Sequence, residues 1–199
     1  MARWEPGARE RLIRSALELF QERGFAETTV PEIAARAGVT NRTFFRYFGD
    51  KREVLFGNED QAAAKLRAAL AKAPAGLGAA DFLLWGLELY AREYLDGHRD
   101  EFRVLRRIVE SDQSLMERSL SKRRAQCTIL GDALRERGMR PARAQLLAEA
   151  AIGALSIAIG DWVQRDDETG IDTLTIEALT ALRADLGGIA AARSPAARR

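Results

Sequence analysis

Apolar residues recur at three- and four-residue steps along almost the whole chain, while period-two alternation is nearly absent, so the pattern predicts helices throughout. The first helix is expected from about Ala8 to Arg23, with Ile13, Ala16, Leu17 and Phe20 on one stripe that Leu12 and Leu19 widen. Val30, Ile33, Ala34 and Ala37 form a short second face. Thr29 precedes it as an N-cap, and Pro31 sits in the first turn, where a missing N–H costs little. Gly38 supplies the positive φ of a tight helix stop, Val39 returns to the core, and Thr40 caps a third helix over residues 41–48. Gly49-Asp50 opens a fourth helix expected to run from Lys51 to Ala71, before the break at Ala73-Pro74-Ala75-Gly76-Leu77-Gly78.

Beyond the break, Phe82, Leu83, Trp85, Leu87, Leu89, Tyr90 and Tyr94 predict a helix apolar over much of its circumference, ended by Gly97-His98. Phe102, Leu105, Ile108 and Val109 mark a shorter helix. Met116, Leu120, Arg123, Cys127, Leu130 and Leu134 then keep a 4-3-4-3-4 rhythm, a long seam that stops at Gly138. Pro141 opens a helix rich in small residues, and Thr175, Leu179, Leu182, Leu186 and Ile189 mark the last one. The fold class is therefore all-α: a small three-helix head over residues 8–57, a larger helical body over 58–191, and a tail over 192–199 expected to be disordered because it has nothing to bury.

Within the head, residues 30–49 have the form of a helix-turn-helix: a short helix, a glycine turn and a second helix with polar side chains to spare. Such a helix fits the major groove of double-stranded DNA, where base edges can be told apart. Arg42 is the first candidate for a base contact, because its planar fork matches guanine O6 and N7. Asn41 and Thr43 are candidates for adenine edges or thymine methyls, while Phe44 and Phe48 have no donor and belong to the core. Arg46 suits backbone or base. Arg3, Arg9 and Arg11 would suit a minor-groove or phosphate-binding arm, or a solvated terminus.

These positions, taken in order with Gly24-Phe25, Thr28-Thr29-Val30, Ile33-Ala34, Ala37-Gly38-Val39, Thr43-Phe44-Phe45-Arg46-Tyr47-Phe48 and Lys51, resemble the TetR family of repressors over roughly the first 55 residues. The resemblance implies a ligand-responsive transcriptional regulator, mostly a repressor, that binds a palindromic operator as a homodimer and is released by a small-molecule effector. It implies phosphate contacts at Thr29, Thr40, Tyr47 and Lys51, with Arg46 beside them, and the hydroxyls, ammonium and helix N-termini there are chemically suited to that task. One departure is Phe45, where the family usually carries a tyrosine whose hydroxyl touches a phosphate.

In the body, Ala151, Ala154, Ala158 and Trp162 on one helix and Leu179, Leu182 and Leu186 on the next form stripes suited to a four-helix dimer interface, the way TetR-like proteins pair, or to packing within one chain. Trp85, Leu89, Tyr90, Tyr94, Phe102, Met116 and Cys127 could line a cavity for a small apolar or aromatic effector, or could be ordinary core. Arg123 interrupts an apolar seam, so it would anchor an acidic ligand, pair with a carboxylate or snorkel to water. Cys127 suits a redox sensor or a packed thiol.

Bulk composition narrows the classes further. Hydrophobic residues make up 47% of the 199 and charged residues 30%, as in an ordinary globular protein, with a net charge of only +2. Residues 1–52 hold ten Lys/Arg against seven Asp/Glu, a balance of 10 − 7 = +3 that permits DNA binding without demanding it. One cysteine and one histidine provide neither a disulfide nor a tetrahedral zinc site, so no cofactor is expected. The charged start lacks a signal peptide, and the longest apolar run, Ala150 to Gly160, is too short to span a membrane, so a cytoplasmic location is expected. The rival readings are a helical protein-interaction module and a small helical enzyme; no phosphate loop, ligand cluster or nucleophile elbow supports the latter.

Overall fold

A computed structural model of the chain describes residues 7–192, with side chains described to residue 185. Arg3 lies outside the described residues, as do the side chains of Leu186 and Ile189 and all of the expected tail except Ala192, which closes the last helix. Ten helices and no strand are found among the described residues: α1 Ala8–Arg23, α2 Val30–Arg36, α3 Asn41–Tyr47, α4 Lys51–Leu55, α5 Glu59–Ala71, α6 Ala79–Tyr94, α7 Arg99–Glu110, α8 Gln113–Glu136, α9 Pro141–Trp162 and α10 Ile171–Ala192. The chain divides into two compact units, residues 1–61 with 100–122 and residues 62–99 with 123–199.

The first unit is built around the expected head. Leu12, Ala16, Leu19 and Phe20 of α1 enclose a core with Ile33 and Ala34 of α2, Phe44 of α3, Phe48 and Val54. Ile108 of α7 and Leu115 of α8 complete that core, so residues 100–122 join the unit that the sequence limited to 8–57. The α2–α3 turn follows from Gly38, whose φ of 68° lets the Gly38 N–H reach the Ala35 carbonyl at 3.1 Å and the Val39 N–H the Ala34 carbonyl at 2.9 Å. Arg36 clasps Glu22 through two guanidinium nitrogens at 2.5 and 2.9 Å, tying α2 to α1.

One expected helix is in fact two. The pattern from Lys51 to Ala71 breaks at Phe56-Gly57-Asn58, between α4 and α5. Periodicity misses this break because Val54, Leu55, Leu66, Ala69 and Leu70 are buried on both sides of it. At the break Gly57 is closely packed: an added Cβ would lie 2.7 Å from the Phe48 ring and 3.2 Å from Ile13. Asp50 caps α4 as expected, accepting from the Arg52 and Glu53 N–H groups at 2.8 and 2.9 Å.

In the second unit, α10 packs on both α9 and α6. Cys127, Leu130 and Leu134 are buried, but the earlier part of the expected α8 seam is not: Met116, Leu120 and Arg123 face water, with Leu120 64% exposed. The buried side of α8 in the first unit is marked instead by Leu115. Arg99 Nη1 and Nη2 donate to the carbonyls of Asp167 and Thr169 at 2.6 and 2.5 Å and fix the α9–α10 loop. With 22 residues and a mean hydropathy of 1.4, α9 is long and apolar enough to cross a membrane, contrary to the estimate from its uninterrupted apolar run. Its Ala148, Ile152 and Leu155 are buried against the unit's other helices, which suits a core helix of a soluble protein.

Two outcomes are expected from this packing. Gly57→Ala should lower stability by about 1–3 kcal/mol, read from urea denaturation, because a methyl group must displace a rigid ring. The Cys127 thiol is held inside and donates to Glu149 Oε2 at 3.2 Å; burial first, and that carboxylate second, push its pKa up to about 12. It should therefore resist iodoacetamide at pH 8 in the native protein and react only after denaturation, as intact-mass measurement would show.

Candidate functional site

The α3 helix offers one face to the core and another to solvent. Phe44 and Phe48 anchor it, their ring centroids 5.6 Å apart, while Asn41, Arg42, Phe45 and Arg46 are exposed and Thr43 is half-buried. Its N-terminus is formed by Thr40, whose Oγ1 accepts from the Thr43 N–H at 3.2 Å and lies 3.1 Å from the Thr43 hydroxyl. The structure thus brings the three base-contact candidates onto one helix start. Asn41 and Arg42 make no hydrogen bond or ion pair among the described residues, so their donors remain available.

Phe45 occupies the centre of that face. It is 57% exposed and edge-on to Phe44, with centroids 5.4 Å apart and planes at 80°. More than half of the ring is left outside the core, and its i, i+3 and i, i+4 spacing sets it beside Arg42 and Asn41. The sequence marked Phe45 as a lost hydroxyl; the structure shows it as the largest apolar surface of the face.

The phosphate candidates differ in how free they are. Arg46 Nη2 donates to Tyr47 Oη at 3.4 Å, and its guanidinium lies 5.0 Å from the Tyr47 ring centroid, so these two donors sit together. Thr29 is engaged: its N–H and hydroxyl both donate to Glu32, at 2.9 and 2.8 Å. Those bonds from Thr29, then the Arg23 guanidinium, hold the Glu32 carboxyl below its ordinary range. An approaching phosphate would have to displace this carboxylate from the start of α2.

Lys51 is engaged more fully still. Its ammonium donates to the carbonyls of Phe25, Ala26 and Thr28 at 2.7, 3.1 and 3.0 Å and sits 4.4 Å from the Phe25 ring centroid. All three of its hydrogens serve the α1–α2 loop. Of the expected arm, Arg9 bonds Asn58 at 3.1 Å and Arg11 bonds the Ala37 carbonyl at 3.1 Å, so both act within the unit.

The effector candidates are divided between the two units. Phe102 and Met116 belong to the first unit, and Trp85, Leu89, Tyr90, Tyr94, Arg123 and Cys127 to the second. The Tyr90 and Tyr94 rings lie tilted at 42° with centroids 5.8 Å apart, and burial pushes the Tyr90 hydroxyl pKa up to about 12. Arg123 is exposed at the surface, which matches snorkelling. Two cavities of the second unit are lined by other residues. One of about 740 Å³ involves Arg67, Leu70, Phe82, Ile129 and Arg137; the other, of about 250 Å³, involves Leu83, Leu147, Ala151, Leu179 and Leu182. Their linings come from three helices each, so no single stretch of sequence signals them. Ala151, Ala154, Ala158 and Trp162 are buried within the chain, whereas Leu146 and Ile157, at 69% and 72% exposure, mark the outer side of α9.

Comparison with known proteins agrees with this architecture. Residues 12–56 match the family model of bacterial regulatory proteins, tetR family. Over 68 residues, 34% of this chain and 30% of the relative, the sequence is 46% identical to the HTH-type transcriptional regulator TcmR of Streptomyces glaucescens, so it spans less than a third of that relative. A TetR-like transcriptional regulator from Rhodococcus sp. RHA1 shares the fold at a TM-score of 0.59 and 24% identity, covering 94% of this chain and 100% of that one. The Thermus thermophilus TetR-family repressor FadR, solved in complex with lauroyl-CoA, aligns at 0.56 and 25% identity over 87% of this chain and 92% of its own. The head, residues 12–56, thus matches the tetR family of bacterial regulatory proteins, and the chain as a whole shares its fold with TetR-like regulators.

Proposed function

We propose that this protein is a cytoplasmic, ligand-responsive transcriptional regulator, a repressor that binds a palindromic operator in double-stranded DNA as a homodimer and is released by a small apolar or acyl-bearing effector. The observation that carries the proposal is the outer face of α3, where Asn41 and Arg42 are exposed and unpaired on a helix pinned from behind by Phe44 and Phe48. Residues 8–57 serve as the DNA-binding head and 58–191 as the effector-binding and dimerisation body. Arg42 reads guanine, Asn41 and Thr43 read neighbouring bases, and Phe45 covers apolar sugar or thymine surface. Arg46, Tyr47 and the hydroxyl of Thr40 meet phosphate. Lys51 acts by holding the head in shape, and Thr29 reaches phosphate only once Glu32 has yielded.

A second copy pairs through α9 and α10. On α9 the exposed Leu146 and Ile157 lie eleven residues apart, three turns, on one outer side, with the half-buried Ala150 and Gly153 between them and the Arg123 guanidinium against Gly153. Leu179 and Leu182 of α10, both half-buried, flank the same surface. An effector that binds better to a conformation whose heads no longer fit the half-site spacing releases the operator by population shift. The structure of FadR with lauroyl-CoA supports an effector of this general size and character.

Selection from a random duplex pool should enrich a palindrome with half-sites about one helical turn apart. Arg42→Ala should then cost about 1–3 kcal/mol on the selected site and relax one position of each half-site. No enrichment at low salt, with or without acyl ligands, overturns the reading. For the interface, Ile157→Glu should convert the dimer to a monomer by light scattering and weaken operator binding by about a hundredfold or more. A variant that remains dimeric would place the interface elsewhere.

A further inference from the structure

The cavity of about 740 Å³ in the second unit combines two kinds of wall. Leu70 of α5, Phe82 of α6 and Ile129 of α8 form an apolar floor. Its rim is charged. Arg135 is neutralised by its ion pair with Asp132. Arg67 and Arg137, by contrast, make no hydrogen bond or ion pair among the described residues. Arg137 is stationed by the Phe82 ring, with its guanidinium carbon 4.0 Å from the centroid, an arrangement that holds the plane while leaving its N–H edges free. The remaining free charge in the lining is the carboxylate of Glu136, so uncommitted cations outnumber uncommitted anions two to one. Placement of Arg135 and Arg137 near the end of α8 also suits the helix dipole, but Arg67 lies before the last turn of α5 and gains nothing from that effect.

We infer that this cavity is the effector site, and that its ligand is an amphipathic anion: an acyl or aryl body laid on Leu70, Ala71 and Ile129, with a phosphate-bearing or carboxylate head held by Arg67 and by Arg137 on its Phe82 support. The volume falls in the range of small-molecule sites, and planar guanidinium forks suit both phosphate and carboxylate oxygens. Glu136 at the rim weakens the hold on the anion and keeps the complex reversible. The inference rests on the effector-released regulator reading but stands on different residues from those that would read DNA.

Isothermal titration of the full chain tests it with four probes: lauroyl-CoA, laurate, coenzyme A and dodecanol. Lauroyl-CoA or laurate should bind, and which of the two is tighter identifies the head as phosphate-bearing or carboxylate. Arg67→Gln and Arg137→Gln should each weaken that probe by about tenfold or more, while Arg124→Gln, an exposed arginine of α8 outside the lining, should change it by less than about twofold. Glu136→Gln, which removes no apolar contact, should tighten it, so a variant that fails to fold does not decide the matter. The inference is overturned if neither anion binds, if both arginine variants bind like the parent chain, or if coenzyme A or dodecanol alone binds as well as the best anion. Because operator selection needs no ligand, a selected palindrome alongside any of these outcomes would remove this site and leave the DNA reader intact.

Discussion

The ammonium of Lys51 gathers three carbonyls from the loop between α1 and α2, and the geometry of the head depends on it. Loop carbonyls at Phe25, Ala26 and Thr28 point inward to one donor, which sets where α2 begins and, through the Gly38 turn, where α3 emerges. Thr28 reinforces the arrangement from inside, its buried hydroxyl donating to the Gly24 carbonyl at 2.8 Å. Charge-assisted bonds of this kind contribute roughly 1.5–3 kcal/mol each in sheltered settings and less where water competes. Their greater value here is directional, since a reading helix placed an ångström wrong would miss the base edges. Arg99 does comparable work in the second unit, holding the carbonyls of the α9–α10 loop.

On that frame the reading surface is economical. Phe44 and the capping Phe48 face inward, which leaves Asn41, Arg42 and Phe45 on the outer face of α3. The face combines unpaired donors at Asn41 and Arg42 with the exposed Phe45 ring, which favours a partner offering both polar edges and apolar patches. The major groove offers both. Phosphate contact is less evenly provided. Arg46 and Tyr47 sit together on α3, while Thr29 shares its two donors with Glu32. This competition should make the α2 contact more sensitive to salt and to local rearrangement than the α3 contacts.

The body shows how poorly an apolar seam predicts a cavity. Three of the eight side chains that look like sensor residues, Leu89, Tyr90 and Cys127, are buried, and the Cys127 thiol is tied to Glu149. Open space occurs instead where helices splay near their ends, at the C-terminal parts of α5 and α8 and the start of α6. Unmatched charge collects at the same place. A ligand that joins an apolar body to an anionic head meets both conditions, and an anion bound there would pair with the guanidinium edges of Arg67 and Arg137, which carry no ion pair.

The all-α class, the helix-turn-helix and its polar candidates were readable from the sequence, because 3.6-residue periodicity, the caps Thr40 and Asp50 and the Gly38 stop act over a few residues. So was the assignment of Phe44 and Phe48 to the core. What the sequence left undetermined depends on distance in space. The break lies at Gly57, packed against a Phe48 ring nine residues earlier and against Ile13, neither contact visible to a local pattern. Lys51 is an exposed cation in any sequence window and becomes a loop clamp only when Phe25, Ala26 and Thr28 fold against it. On α9 small residues occupy both sides, so periodicity could not choose between the Ala151–Ala154–Ala158 stripe and the Leu146–Ile157 side; packing in the second unit buried the first and left the second to solvent. Local chemistry thus determined which helices form and which side chains could bind DNA, while tertiary packing decided which of those side chains remain free, because burial and pairing arise between segments far apart in the chain.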